Sequence, residues 1–322
     1  STVPMRPVCM LTDWVPAAGN VSHWPSPLWC QHTAFSATRS GSSFYRQLLC
    51  LNREYACRHG YTFIVASEPS LDLLANEALL TSADREVLAT ICSGSRYTSS
   101  SGSAGFASTS NIHALRAKTW CKVQQIRFLL RKARGCDLIA WLDADGLVKL
   151  SSDATVAPPQ AVSPPIHMQP LVQSWLSSKS ALAVPPEPPG FNTWKRSARN
   201  NLNNTRVSTG FILVKSLARS NGLSGRLVSE WWNAVEPDRR NVGALGEPLS
   251  IYRSEWAHEQ RVLDDYLFTR YGSQALGNEG ALSTVLSSEY GTPRGSVVAH
   301  YWHKEAGKQS GNHSAATPPP TA

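Results

Sequence analysis

The chain has no long hydrophobic run. No stretch of its 322 residues approaches the ~20 consecutive apolar residues that span a bilayer, so no transmembrane helix is expected. No signal peptide is visible, and the start at Ser1 suits a lumenal domain cut from an anchor; membrane contact is expected only through an anchor absent from this chain. There is no CxxC pair, which argues against a zinc ribbon or a thioredoxin-type motif. The seven cysteines are Cys9, Cys30, Cys50, Cys57, Cys92, Cys121 and Cys136, and the odd number leaves at least one thiol unpaired within a monomer. Cys50 and Cys57 fall in one expected helix, about 10 Å apart along its axis and too far to bridge. Basic tails and known nucleic-acid motifs are also missing. The densest basic clusters, Arg127 to Arg134 and Arg239-Arg240, are short, so a nucleic-acid partner is not expected. No internal repeat is found.

What is present describes a globular chain. Hydrophobic residues make up 42%, and the length allows a large core and fits one large domain or two small ones. Lys+Arg 31 against Asp+Glu 23 gives a net charge of +8, which suits an anionic small molecule or an acidic surface. Eleven tryptophans permit stacking on sugars without requiring it. Three N-x-S/T triplets, at Asn20, Asn203 and Asn312, point weakly to a secretory lumen.

Residues 7–11, PVCML, read as a first strand. Residues 44–60 read as a helix, with Phe44, Leu48, Leu51 and Tyr55 on one face and Gly60 as its stop. YTFIVA at 61–66 is a second strand, and the strand–helix–strand order argues for a parallel α/β sheet. Residues 93–110 are low-complexity and read as a surface loop. A helix is expected over 114–134, then an apolar strand ending in Asp143 and Asp145. The proline-rich stretch 151–190 reads as an insertion over the fold. TGFILV at 209–214 is a buried strand, helices follow at 223–235 and 258–271, and SVVAHYWHK is a last short strand. The expected organisation is one catalytic domain over 1–304, with loop-rich insertions near 67–112 and 151–206, and a disordered tail over 305–322.

Two carboxylates spaced D-x-D at the end of a strand can reach one hard cation together. Ligands of α/β sheets bind outside the carboxyl ends of the strands, where Asp143 and Asp145 fall. Mg²⁺ or Mn²⁺ held there would share substrate phosphates and neutralise a leaving diphosphate. The same strand–D-x-D-G pattern also resembles haloacid dehalogenase phosphatases, with Asp143 as nucleophile and Asp145 as acid/base. That motif usually opens its domain; here more than a hundred residues precede it.

Several blocks, in order, resemble glycosyltransferase family 34. They are NREYACRHGYTFIV (52–65), WCKVQQIRFLL (120–130), LIAWLDAD (138–145), STGFILVKS (208–216), HEQRVLDDYL (258–267) and VVAHYWHK (297–304). Lys122 stands 21 residues before Asp143, as that family's donor-site lysine does. Ser208 stands where the family usually has Asn, and Tyr301, Trp302, His303 and Lys304 follow the last strand in place of its usual glycine and later lysine. The resemblance implies a GT-A fold, which is a Rossmann-like α/β domain with a mostly parallel central sheet flanked by helices. It implies retaining transfer of a sugar, galactose or xylose first, from a UDP-sugar to a glycan or glycoprotein in the Golgi or another secretory lumen.

The resemblance also assigns residues. Asp143, Asp145 and His300 would hold Mn²⁺ or Mg²⁺, with His303 as the rival histidine. Lys122, Asp143, Asp145, Gly210 and Lys304 would meet the nucleotide-sugar, and Gln260 and Glu259 would lie beside the reacting sugar. Trp141 is expected in the core, and Trp231, Trp232 and Trp302 are candidates for the acceptor groove. A degenerate, purely nucleotide- or glycan-binding module is the non-catalytic alternative.

Overall fold

The protein is described here from a computed structural model. It describes residues 8–12, 42–59, 61–65, 81, 83, 97–98, 116–132, 136–148, 175, 179–187, 207–236, 239–243, 246–255, 258–271, 283–286, 289–291 and 295–300. In chain order the strands are β1 (Val8–Thr12), β2 (Thr62–Val65), β3 (Tyr97–Thr98), β4 (Arg116–Ala117), β5 (Leu138–Leu142), β6 (Gly146–Val148), β7 (Leu182–Val184), β8 (Phe211–Lys215), β9 (Ser283–Val285) and β10 (Val298–His300). The helices are α1 (Ser42–Arg58), α2 (Cys121–Lys132), α3 (Leu223–Asn233), α4 (His258–Val262) and α5 (Thr269–Tyr271).

Six strands form one sheet in the order β2-β1-β5-β8-β7-β9. β1 runs parallel to β2 and β5, β8 runs antiparallel to β5 and β7, and β7 runs parallel to β9. Five strands therefore share one direction and β8 alone is reversed, so the α/β architecture is a mostly parallel central sheet flanked by helices. Side chains alternate across the pleat. Cys9, Leu11, Ile139, Trp141, Ile212 and Val214 face α2 and α3, whose Val123, Ile126, Leu129, Leu227, Val228 and Trp231 complete that core. Val8, Met10, Leu138, Ala140, Leu142 and Leu213 face the other way, against Leu49, Tyr55 and Ala56 of α1. Burial on both faces explains why these strands read as continuous apolar runs. Each buried Val, Leu, Ile or Met among them contributes about 1.5–3 kcal/mol on leaving water. A disulfide joins Cys9 of β1 to Cys136 at the entry to β5.

Three expectations need correction. The helix expected over 114–134 begins later: Arg116–Ala117 is a short strand and Lys118–Trp120 a 3-10 turn. Long-range contacts hold this entry off the helix path. Trp120 Nε1 donates to the Tyr252 carbonyl at 2.8 Å, and the buried Arg116 guanidinium lies over the Trp232 ring, 4.0 Å from its centroid. The stretch read as an insertion contains β7, a fully buried strand of the main sheet. Three residues between serines and prolines carry too short an alternation to announce a strand. The helix expected over 258–271 is broken by a π-helical turn, Leu263–Phe268. β10 joins β6 as an antiparallel pair, outside the main sheet. The expected stop Gly60, the three N-x-S/T asparagines, Trp302, His303, Lys304 and the tail lie outside the described residues, as does nearly all of 67–112.

Candidate metal and donor site

The carboxyl end of β5 and the reversed strand β8 build the site together. The register Leu142↔Phe211 continues beyond the strands, so Asp143 N donates to the Gly210 carbonyl at 2.9 Å. Thr209 and Gly210 are thereby fixed beside the D-x-D. A tight turn follows, closed by Gly146 N donating to the Asp143 carbonyl at 2.8 Å. β6 starts there and pairs with β10 in the register Gly146↔His300. Buried Asn52 of α1 pins the β6 backbone, its Nδ2 donating to the Gly146 carbonyl at 2.8 Å and its Oδ1 accepting from Val148 N at 2.9 Å.

This pairing brings His300 to Asp145 across 155 residues, with Nε2 2.9 Å from Oδ1. The same Nε2 is 3.7 Å from Asp143 Oδ2. One ligand atom from each of Asp143, Asp145 and His300 lies within 4.8 Å of the others. Two carboxylates and an imidazole suit a borderline or hard divalent cation. The two carboxylates are partly exposed while His300 is buried. The site is thus open on the carboxylate side and closed behind the imidazole. His300 is close-packed: a Cβ built on Gly210 would stand 2.1 Å from its ring.

Lys122 organises the opposite side. Its ammonium is 2.8 Å from Asp143 Oδ1 and 3.2 Å from Glu259 Oε1, and it donates to the Thr209 carbonyl at 3.2 Å. Trp141 Nε1 donates to Asp143 Oδ1 at 2.7 Å. Burial would depress Lys122, but Asp143 and Glu259 outweigh it and raise the ammonium above its ordinary range. Burial would raise Asp143; the Lys122 and His300 charges and the hydrogen bonds from Lys122 and Trp141 outweigh it and hold the carboxyl below the usual range. Burial would lower His300, and the Asp145 and Asp143 carboxylates outweigh it, so the imidazolium persists to higher pH than usual.

From Lys122 the network passes to α4. Thr209 Oγ1 donates to Glu259 Oε1 at 3.0 Å, and Thr209 N donates to Gln260 Oε1 at 3.3 Å. Gln260 Nε2 donates to Glu187 Oε2 at 3.2 Å. Burial, the largest influence on Glu187, pushes its carboxyl up to about 7. The structure thus brings Lys122, Asp143, Asp145, Gly210, Glu259, Gln260 and His300 into one neighbourhood. It adds Thr209, Glu187 and Asn52, which sequence reasoning missed. Glu187 had one weak signal: an acidic residue three positions after the apolar run ALAV, parted from it by Pro185 and Pro186. Trp141 is core as expected, with its indole turned to Asp143. Trp231 is fully buried, which removes it from the acceptor groove; its Nε1 donates to the Glu259 carbonyl at 2.8 Å.

No protein-family profile and no curated protein matches the chain. Among solved structures it is similar to a glycosyltransferase involved in glycosylation of the major capsid of PBCV-1, at 12% identity and a TM-score of 0.41, over 94% of this chain and 98% of that one. It is also similar to the galactosyltransferase LgtC in complex with donor and acceptor sugar analogues, at 14% identity and a TM-score of 0.35, over 97% of each chain.

Proposed function

We propose that this chain is a metal-dependent glycosyltransferase of the GT-A type, similar to family 34, which moves a sugar from a nucleotide-diphosphate donor. The observation that carries this reading is the convergence of Asp143, Asp145 and His300 beside Lys122, Glu259 and Gln260 at the carboxyl end of β5. These are residues that four separate sequence blocks supplied in family order. Among the described residues this is also the one grouping of His, Cys, Asp and Glu side chains able to hold a cation.

The donor set fits Mn²⁺ or Mg²⁺, and Asp143, Asp145 and His300 would hold it. Bound there, a divalent ion would neutralise charge on a leaving diphosphate. The chain's own residues do the rest. Lys122 supplies fixed positive charge at the same oxygens, already oriented by two carboxylates. Gly210 presents backbone without a side chain. Gln260 and Glu187 present an amide and a carboxyl where the sugar would lie, and Lys304 is a further candidate for the diphosphate. Glu259 is enclosed and occupied by Lys122 and Thr209, which leaves it as an orienting group and not an attacking one. Gln260 is neutral. Retention is what the resemblance to family 34 implies. With Glu259 engaged and Gln260 neutral, front-face attack, the departing phosphate receiving the acceptor proton, is favoured over a covalent intermediate on either of them.

UDP-galactose and UDP-xylose are the first donors proposed, with a glycan or glycoprotein acceptor. A secretory lumen such as the Golgi is supported by the Cys9–Cys136 disulfide. No helix among the described residues is long and apolar enough to cross a membrane.

The test is a panel of nucleotide sugars with Mn²⁺, read by NMR for released and transferred sugar. Metal-dependent release with retained anomeric configuration is expected. Inverted product would overturn the front-face mechanism. Nucleotide binding without turnover would favour the binding module, and steady phosphate release from simple esters would favour the phosphatase.

A further inference from the structure

α4 is five residues long, too short to hold its own phase. It starts at His258 with φ 48°, a left-handed conformation rare for a non-glycine residue, and runs straight into the π-helical turn. Something outside the helix must therefore set the direction in which Glu259 and Gln260 point. Trp231 supplies one tie, through the Glu259 carbonyl.

Arg261 supplies the other. Its side chain is 4% exposed, on the same short helix as Glu259 and Gln260 and held away from the metal side by a separate set of partners. The guanidinium pairs with Asp265 of the π turn, one helical step on, and stands 4.0 Å from Glu247 Oε1. Tyr252, from the 3-10 turn Leu249–Arg253, lies within reach of its charge. Two carboxylates and a phenol from three segments thus surround one planar guanidinium.

The loop before that turn is shaped for the purpose. Gly243 N donates to the Glu247 carbonyl at 2.8 Å, and a Cβ on Gly243 would stand 2.2 Å from Glu247 Oε1. Only a residue without a side chain lets the Glu247 carboxylate fold inward. Glu247 is 11% exposed and Asp265 8%, so both carboxylates sit in a largely dry environment beside the arginine.

We propose that Arg261, held by Glu247, Asp265 and Tyr252, is a positioning residue that sets Glu259 and Gln260 against the donor sugar. It pairs with none of Asp143, Asp145 and His300, and reaches them only through Glu259 and Lys122. This rests on the sugar-transfer reading, and a readout independent of activity separates the two.

The full chain is compared with R261M, R261K and E247Q. Measured for each are Mn²⁺-dependent UDP binding by calorimetry, thermal unfolding, donor hydrolysis, and hydrogen exchange of the Trp231 indole with the Trp141 indole as control. In R261M, kcat should fall at least about tenfold while the Kd for UDP with Mn²⁺ stays within about twofold. Trp231 indole exchange should quicken about tenfold with Trp141 unchanged. R261K should recover only part of kcat, because an ammonium cannot fork to two carboxylates. E247Q should shift both readouts in the same direction, by about threefold. A folded R261M with unchanged Trp231 exchange and unchanged kcat overturns the proposal. If R261M does not fold, E247Q with both readouts at wild-type values overturns it. If the wild-type chain turns over no nucleotide sugar, the transfer reading fails, and unchanged Trp231 exchange in the variants then overturns the positioning role by itself.

Discussion

The ring of His300 fills the space that a Cβ on Gly210 would need, at 2.1 Å. Gly210→Ala should therefore displace the imidazole from Asp145. Overpacking at this buried strand end should lower stability by about 1–3 kcal/mol. Mn²⁺ affinity should fall at least about tenfold, since one of three ligands moves. Calorimetry with Mn²⁺ and a denaturation curve check both. Unchanged affinity in a folded Gly210→Ala chain would mean that His300 is not a ligand.

Asp145→Ala and His300→Ala should each abolish Mn²⁺-dependent transfer in a folded protein, and His303→Ala should do much less. Transfer assays and thermal melts on the three variants decide it. An active His300→Ala beside a folded but dead His303→Ala would exchange the two histidines. Full activity in Asp145→Ala would remove the metal from the reaction.

Lys122→Met leaves Asp143 and Glu259 close together without their cation. Loss of one partner of a buried ion pair should cost about 3–5 kcal/mol. A pH signature follows. Asp143 is held below the ordinary carboxylate range, chiefly by Lys122 acting against burial, so its stabilisation is present above the unfolded carboxyl range and is lost as pH falls through the folded value. Without Lys122 that loss should set in at higher pH. Urea unfolding from pH 3 to pH 8 on both proteins would show an unshifted acid limb if the pairing is unimportant.

Glu187 gives the opposite sign. Its folded carboxyl is raised from the ordinary 4.5 to about 7, mainly by burial. Between those values the folded chain keeps a proton that the unfolded chain has released, so stability falls as pH rises through this window. Glu187→Gln should flatten the profile there and stabilise the protein at pH 8 by on the order of 2 kcal/mol. Denaturation with metal removed by chelator tests it; parallel profiles for the two proteins would contradict it.

Much of the frame was legible in the chain itself. β1, α1, β2, β5 and α3 announce themselves because each is a long enough apolar pattern bounded by turn residues. Asp143 and Asp145 stand out because two carboxylates end a run that otherwise excludes charge. Lys122, Glu259, Gln260 and His300 could be singled out only by spacing and family resemblance, since a helical lysine or a strand histidine is locally indistinguishable from an ordinary one.

The rest was decided by tertiary structure. β7 is three residues long and depends on β8 and β9 for its hydrogen bonds, so no local periodicity marks it. Glu187 becomes part of the site only because β7 enters the sheet. His300 meets Asp145 only because β10 returns to pair with β6, a contact across 155 residues that no window of sequence contains. Local sequence determined which segments became strands and helices, through patterns a few residues long. Which side chains share the site was decided by strand order and register, and these depend on contacts between segments far apart in the chain.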